Sequence, residues 1–274
     1  MSAAEARAGQ ATQTPASTSI LSLRGFGISF RGVRALDGIS FDVPQGGVTA
    51  VIGPNGAGKT TLFNCISGIY RHEGEIDLDG SSIGHLPAHQ RASAGIARTF
   101  QTPTLLDDED VFANVLVGTQ SWTTTGLTGV LFGTPGARRE EREARDVAWH
   151  HLAAVGLASL ADRPAGALAH ADRRRVEIAR ALAARPRILM LDEPAAGLSA
   201  AESDELIALV REQGDATGMT SLLVEHDVAL VMRTASWIAV LDAGKLLAVG
   251  EPQEIRENPA VIAAYLGADA EVAA

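Results

Sequence analysis

The spacing of apolar positions changes along the chain. Over residues 20–43, apolar and polar side chains alternate in short runs separated by glycines, and this period of two predicts antiparallel strands. From residue 111 to about residue 166 the apolar positions recur at helical spacing instead, as Ala144, Ala148 and Leu152 do. We therefore predict an antiparallel β subdomain followed by a helical subdomain over about 100–166.

Short, wholly apolar runs alternate with helical patterns elsewhere in the chain. Four such runs predict buried strands, at residues 48–52, 188–191, 220–224 and 237–241. Helices are expected over about 172–184 and over 251–267. A further helix is expected to begin at the capping box of Ser199 and Glu202. Strands that alternate with helices in this way predict an α/β fold with a mostly parallel core sheet.

The composition is that of an ordinary globular protein. The chain has 274 residues, of which 46% are hydrophobic, so it is long enough for one large domain or two small ones. Its net charge of −10 provides no broad basic surface, and we expect no nucleic-acid partner. The single cysteine, Cys65, excludes an internal disulfide and fits a reducing cytoplasm.

Neither end of the chain has a pattern typical of folded structure. Residues 1–19 are rich in Ala, Ser, Thr and Gln, and they lack the basic start and apolar segment of a secretory signal. We expect disordered tails at 1–19 and 268–274. Because no run approaches the ~20 apolar residues that cross a bilayer, we expect a cytoplasmic protein that is soluble or peripheral.

A glycine-rich segment lies between the first apolar strand and a helical stretch. Glycines let consecutive backbone N–H groups turn toward a phosphate, and a helix N-terminus adds partial positive charge. Lys59 is expected to reach the β- and γ-phosphates, and the Thr60 hydroxyl a Mg²⁺ that bridges them. A purely structural turn is the alternative, but the strand before and the helix after favour a nucleotide site. The residues of this segment are Gly53, Pro54, Asn55, Gly56, Ala57, Gly58, Lys59, Thr60 and Thr61.

Two adjacent carboxylates follow the apolar run 188–191. Open α/β sheets bind ligands at the carboxyl ends of their strands, so we expect Asp192 to hold Mg²⁺ through water and Glu193 to orient or deprotonate an attacking water. His226, two residues beyond the run 220–224, is expected to approach the same edge. The alternatives are a strand end that meets solvent and a structural histidine.

From residue 20 to residue 267 the sequence resembles ATP-binding cassette (ABC) proteins. Residues 53–61 are similar to the Walker A motif and residues 188–192 to the Walker B motif, and Gln101 and His226 take the Q-loop and switch-histidine positions. Phe30 takes the position of the aromatic that stacks on adenine, with an ordinary strand phenylalanine as the alternative. The resemblance implies a P-loop NTPase with a single ABC-type nucleotide-binding domain over 20–267.

The resemblance is closest to the ATPase subunits of branched-chain amino acid uptake transporters. It rests on stretches at residues 63–65, 95–101, 131–135, 194–197 and 255–267. Related importers of urea, amides and other amino acids share much of this pattern. The implied function is ATP hydrolysis coupled to import. The implied catalytic residues are Glu193, His226 and Gln101, and the implied Mg²⁺ residues are Thr60, Gln101 and Asp192.

The resemblance also implies partners and a location. A second ABC ATPase subunit, two multi-spanning permease subunits and an extracytoplasmic solute-binding protein would complete the transporter. The chain would lie on the inner face of the cell membrane, with ATP and Mg²⁺ bound.

One motif departs from the family pattern. ABC proteins carry a Leu-Ser-Gly-Gly-Gln-like signature where this chain has Leu168-Ala169-His170-Ala171-Asp172. The serine hydroxyl is missing at Ala169, and Ala171 adds a Cβ where backbone approaches phosphate. In this family two cassettes sandwich ATP head to tail, so each signature serves the partner's nucleotide. We therefore expect a heterodimer with two unequal ATP sites.

Two other functions remain open from the sequence. A non-transport ABC ATPase that acts on ribosomes or DNA usually has two cassettes, a coiled-coil insertion or basic extensions, and a single acidic cassette argues against it. A regulatory ATP-binding subunit with weak hydrolysis is suggested by the altered signature.

Overall fold

The computed structural model describes residues 19–100, 104–125 and 134–272. Its strands are β1 (Ser19–Phe30), β2 (Val33–Pro44), β3 (Val48–Ile52), β4 (Glu73–Leu78), β5 (Ser81–Ser82), β6 (Ile96–Arg98), β7 (Ile188–Asp192), β8 (Thr220–Val224), β9 (Trp237–Asp242) and β10 (Lys245–Gly250). Its α-helices are α1 (Lys59–Ile66), α2 (Ala88–Ser93), α3 (Val111–Val117), α4 (Pro135–Ala154), α5 (His170–Ala183), α6 (Ala200–Thr217), α7 (Val228–Thr234), α8 (Pro252–Glu257) and α9 (Pro259–Val272).

Two sheets organise the described part of the chain. The smaller sheet has the order β2-β1-β4-β5 and its pairs are antiparallel. The larger sheet has the order β10-β9-β3-β8-β7-β6; its strands are parallel except for β10, which pairs antiparallel with β9 at one edge. The predicted core sheet and antiparallel β subdomain are thus confirmed.

The apolar runs form the centre of the larger sheet. Every residue of β3, β7 and β8 is buried, as expected for parallel strands covered on both faces. Because these three strands are neighbours and run in the same direction, their carboxyl ends meet at one edge. Asp192 is the last residue of β7, and the phosphate loop, Glu193 and His226 follow the ends of β3, β7 and β8, respectively.

A separate apolar cluster forms the core of the helical subdomain. Helices α3, α4 and α5 pack on one another through buried side chains such as Val115, Leu152 and Val176. Asp110 begins α3 by accepting a hydrogen bond from the Ala113 amide at 2.6 Å. Within residues 19–100, 104–125 and 134–272, no helix combines the length and apolarity needed to cross a bilayer.

The structure moves several predicted boundaries. Strand β7 extends one residue further and includes Asp192, and α5 begins at His170 rather than at residue 172. The single helix expected over 251–267 is two helices, because Pro259 follows Asn258 and cannot continue α8. Helix α9 continues to Val272, beyond the helix end expected at residue 267.

His151 is a buried ionisable group of the helical subdomain. Its side chain is only 8% exposed, and its Nδ1 atom has no hydrogen-bond partner among the described residues. Burial, with help from the charges of His150 and Arg185, lowers its pKa to about 4. The folded protein therefore holds this imidazole neutral over a pH range in which the unfolded chain, with an ordinary histidine pKa near ~6.5, takes up a proton.

We expect His151 to make the protein less stable in mild acid. Between the folded and unfolded pKa values the unfolded chain binds more protons, so the free energy of unfolding falls as pH drops from about 6.5 toward 4, by about 3 kcal/mol. In His151→Leu this contribution to the loss of stability should be absent. The measurement compares the free energy of unfolding in urea at pH 7 with that at pH 4.5. His89→Gln, at an exposed position, is the control and should keep the wild-type pH dependence. An unchanged pH dependence in His151→Leu would contradict the interpretation.

Candidate functional site

The predicted phosphate loop connects β3 to α1. Strand β3 ends at Ile52 and α1 begins at Lys59, so the glycine-rich residues form the turn between them. Gly58 occupies the N-cap position of α1 and, as a glycine, has no side chain to cap the helix. The first amides of α1 therefore remain available to an anion, and the positive end of the helix dipole adds to the attraction.

Lys59 is buried beneath this loop. Its Nζ atom donates hydrogen bonds to the carbonyl oxygens of Gly53, at 2.7 Å, and Pro54, at 3.0 Å. Burial lowers its pKa, while the charges of Glu193 and Asp192 act in the opposite direction. The ammonium group therefore lies inside the loop and close to the acidic strand end.

Gly53 is fixed by a close approach of backbone to backbone. Its φ is +152°, and a Cβ added there would collide with the carbonyl oxygen of Leu241. Gly56, in the same loop, has φ +79°, but no heavy atom of the described residues lies within 4 Å of such a Cβ. The first glycine is thus required by space as well as by conformation, whereas the second is required by conformation alone.

We expect Gly53→Ala to destabilise the protein much more than Gly56→Ala. The collision at Gly53 involves main chain that cannot rotate away, so the free energy of unfolding should fall by more than about 3 kcal/mol. Gly56→Ala should cost about 1 kcal/mol, from the left-handed backbone only. Urea unfolding of the two variants gives the comparison, and equal losses would show that the contact with Leu241 is not decisive.

Asp192 lies at the carboxyl end of β7 and is almost completely buried. It is 2% exposed, and its Oδ2 atom accepts a hydrogen bond from Nη2 of Arg98 at 2.7 Å. Its Oδ1 atom is buried and has no hydrogen-bond partner among the described residues. A buried carboxylate oxygen without a donor is costly unless a ligand satisfies it.

Glu193 and His226 meet at the same sheet edge. Nε2 of His226 lies 2.6 Å from Oε1 of Glu193, and the Glu193 amide donates to the carbonyl of Val224 in the neighbouring strand, at 2.9 Å. Glu193 has φ +49°, which is uncommon for a residue other than glycine and which occurs at functional sites more often than elsewhere. The predicted pair of catalytic side chains is therefore in direct contact.

One cavity joins the phosphate loop to this catalytic pair. Its volume is about 580 Å³, large enough for a nucleotide-sized ligand. The walls come from the start of β2, the phosphate loop, the acidic strand end and the turn after β9. The lining residues are Val33, Arg34, Ala35, Asn55, Gly56, Ala57, Gly58, Lys59, Thr60, Thr61, Glu193, His226, Ala243 and Gly244.

Of the described site residues, Phe30, Gly53, Pro54 and Asp192 do not line this cavity. Phe30 is 41% exposed, contacts Tyr70 edge-on at a ring distance of 5.3 Å, and does not line the cavity wall. Gln101 lies outside the described residues, as do residues 131–133 of the insertion. The roles predicted for Phe30 and Gln101 remain predictions.

The ends of the segment that contains Gln101 are held by α5. Nη1 of Arg174 donates to the carbonyl of Phe100, at 2.9 Å, and the amide of Thr104 donates to Oε1 of Glu177, at 3.2 Å. Arg174 and Glu177 also pair with each other and are both almost fully buried. Helix α5, which begins within the altered signature, thus fixes both flanks of this segment.

The altered signature contacts the segment that follows the acid pair. Ala169 is the N-cap of α5 but supplies no side-chain hydrogen bond, and Asp172 lies in the first turn. Nε2 of His170 hydrogen-bonds to the carbonyl of Ala196 at 3.1 Å. The signature and the segment that contains Ala196 are therefore linked through His170, which stands where the family pattern has glycine.

Sequence reasoning missed two buried charged residues of the site. Arg98 contacts Asp192, and Glu225 accepts hydrogen bonds from the amides of Ala195, at 2.8 Å, and His226, at 3.2 Å. Burial raises the pKa of Glu225. Arg98 lies three residues before Gln101, and Glu225 lies directly before His226. The signal in the sequence that could have identified both residues is a charge at the end of an apolar run.

Comparisons with known proteins agree with this geometry. A family model described as ABC transporter matches residues 36–196, and one described as branched-chain amino acid ATP-binding cassette transporter matches residues 245–271. The high-affinity branched-chain amino acid transport ATP-binding protein BraF of Pseudomonas aeruginosa is 46% identical and covers 92% of this chain and 99% of its own. LivG of Escherichia coli K12, which carries the same description, is 43% identical with the same coverage.

A solved structure supports the fold independently. The ADP conformation of an ATP-binding cassette from an ABC transporter has a TM-score of 0.79 and 32% identity, and it covers 92% of this chain and 100% of its own. The class that fold and site define is therefore the ABC-type ATPase. Within that class, the chain belongs to the family of branched-chain amino acid ABC transporter ATP-binding proteins.

Proposed function

We propose that this chain is the ATP-hydrolysing subunit of a membrane importer for branched-chain amino acids. The observation that carries the proposal is the match of residues 245–271 to the branched-chain amino acid model, alongside 46% identity over nearly all of BraF. That match covers β10, α8 and α9, which lie outside the phosphate loop and the acidic strand end. The match therefore supports the type of transporter to which the chain belongs, in addition to ATP hydrolysis.

The described residues have distinct roles in this proposal. Lys59 and the loop amides bind the β- and γ-phosphates, and Glu193 orients or deprotonates the attacking water. His226 holds the Glu193 carboxylate through their 2.6 Å contact and so positions it. Phe30, which is exposed and available for stacking, is proposed to contact adenine.

The donors in the site fit Mg²⁺. The Thr60 hydroxyl and the Asp192 carboxylate are hard oxygen ligands, and no described residue donates to the buried Oδ1 of Asp192. The described residues include no group of three or more His, Cys, Asp or Glu that could hold a metal. Mg²⁺ takes one or two protein oxygens and completes its shell with phosphates and water. When bound, the ion would neutralise phosphate charge; Gln101 is proposed as a further ligand.

The proposed assembly is a heterodimer bound to a permease on the inner face of the membrane. Ala169 and Ala171 replace the serine and a glycine of the signature, and this signature would serve the partner's ATP. A second ATPase subunit with an intact signature would complete this chain's own site, which would then hydrolyse ATP faster than the partner's site. Two permease subunits and an extracytoplasmic solute-binding protein would complete the complex.

The altered signature also supports a second candidate function, a regulatory subunit that binds ATP and hydrolyses it weakly. The two functions differ in single-turnover hydrolysis by the assembled complex. A hydrolysing subunit releases phosphate from the site that contains Lys59 and Glu193, whereas a regulatory subunit retains ATP there.

Reconstitution tests the proposed function. The chain, a second ATPase subunit, the permease and the solute-binding protein are placed in lipid vesicles, and ATP hydrolysis is measured with leucine, isoleucine, valine or urea. We expect stimulation by the three branched-chain amino acids and not by urea, and slow hydrolysis by the isolated chain. Stimulation by urea alone would contradict the proposed substrate. Rapid ATP hydrolysis by the isolated chain would contradict the proposed heterodimer with two unequal ATP sites.

A further inference from the structure

Arg98 is a buried cation next to the carboxylate that is proposed to hold Mg²⁺. The Arg98 and Asp192 side chains are 6% and 3% exposed and lie 2.7 Å apart. They are on neighbouring parallel strands, β6 and β7, with Arg98 opposite Met190 in the register. The pair is therefore built into the sheet and is not a chance contact of surface side chains.

Arg98 is also held on its other side by α1. Its Nη1 atom donates to Oδ1 of Asn64, at 2.7 Å, and to Oγ of Ser67, at 3.0 Å. The guanidinium group lies over the rings of Phe63 and Phe100, at 5.7 and 5.1 Å from their centroids. Contacts on this many sides fix the guanidinium group, so it cannot easily move away when a second cation approaches Asp192.

We propose that Arg98 is a positioning residue that sets the Mg²⁺ affinity of this site. In the metal-free protein it supplies the charge that a buried carboxylate requires, and it occupies Oδ2 of Asp192, while Oδ1 has no partner in the described part of the chain. A metal ion at Asp192 shares this carboxylate with a fixed positive charge and is bound more weakly than by Asp192 alone. The inference rests on the proposed role of Asp192 in holding Mg²⁺.

Removing the Arg98 charge should have two measurable effects. Arg98→Met should lower the urea midpoint of the metal-free protein, because the buried carboxylate loses its counter-ion. It should also lower the Mg²⁺ concentration that gives half-maximal binding of the non-hydrolysable analogue AMP-PNP, by about tenfold. A structural ion pair alone would produce the first effect without the second.

A second variant keeps both charges. Asn64→Ala removes one of the hydrogen bonds that restrain the Arg98 guanidinium beside Asp192 but leaves both charged groups present. With Arg98 less restrained, half-maximal Mg²⁺ should fall about threefold. Arg24→Met, which breaks a more exposed Arg–Asp pair with Asp42 at 2.6 Å, is the matched control and should leave the Mg²⁺ dependence unchanged.

The experiment is a Mg²⁺ titration of fluorescent AMP-PNP binding by the full chain and these variants, together with Asp192→Asn. The inference is supported if half-maximal Mg²⁺ falls in Arg98→Met and Asn64→Ala, and it is overturned if both keep the wild-type value. If Arg98→Met does not fold, Asn64→Ala decides alone. Asp192→Asn tests the metal role of Asp192 separately from the effect of Arg98. If this variant keeps the wild-type Mg²⁺ dependence, the metal role of Asp192 is wrong. If the dependence is lost, that role stands whatever the Arg98 variants show.

Discussion

Glu193→Gln is expected to bind ATP normally and to lose about 10³-fold in turnover. The substitution keeps the size and position of the side chain and leaves Lys59 and the loop amides unchanged, so the phosphate cradle remains. It removes the negative charge that accepts a proton from water. It also replaces the carboxylate that faces Nε2 of His226 at 2.6 Å.

The measurement is phosphate release in the assembled transporter, with ATP binding measured in parallel on the same preparation. Glu205→Gln is the control, because Glu205 is an exposed acid on α6 that pairs with Arg175 far from the loop in sequence. It should retain wild-type turnover. Normal hydrolysis by Glu193→Gln would show that another group activates the water.

The close Glu193–His226 contact explains why these two residues should act as a unit. His226 is half exposed at its side chain, while Glu193 is mostly buried. Glu225, buried beside His226, accepts hydrogen bonds from the amides of Ala195 and His226. Loss of His226 would therefore remove the orientation of the Glu193 carboxylate, and its effect on turnover should not add to that of Glu193→Gln.

The motifs of the site could be predicted from sequence because each is local. The phosphate loop depends on nine consecutive residues between a strand and a helix, and the acid pair follows a wholly apolar run. Parallel order then brings their ends together, since β3, β8 and β7 are neighbours. For this reason Lys59, Asp192 and His226 were found, and they share one edge.

The contacts between motifs could not be predicted in the same way. Arg98 and Asp192 are 94 positions apart, and Arg174 and Phe100 are 74 apart. No periodicity or spacing in the sequence states which buried charge faces which partner, because this depends on the order of strands and on helix packing. These are the contacts that give Asp192 its counter-ion and fix the flanks of the Gln101 segment.

Helix ends were predicted well where a capping residue marks them and poorly where packing decides. The box of Ser199 and Glu202 forms as expected, with both reciprocal hydrogen bonds. Helix α5 begins at His170, ahead of its predicted start, and its N-cap Ala169 has no side chain that could mark the position. The C-terminal helix α9 likewise passes its predicted end without any sequence signal.

Lys59→Ala is expected to weaken ATP binding by at least 100-fold. The ammonium group lies within the loop, and burial has already removed much of its hydration, as its lowered pKa indicates. Its attraction to phosphate is therefore stronger than that of an exposed lysine. Alanine removes the charge but leaves the glycines and the start of α1 in place, so the loop amides alone would remain.

The chain contains its own matched control, because Lys245 is its only other lysine. It is exposed at the start of β10 and lies 3.6 Å from Asp37. The decisive measurement is equilibrium binding of labelled ATP to the wild type, Lys59→Ala and Lys245→Ala. Our account predicts that Lys245→Ala binds like the wild type while Lys59→Ala loses at least two orders of magnitude in affinity; equal binding by all three proteins would contradict it.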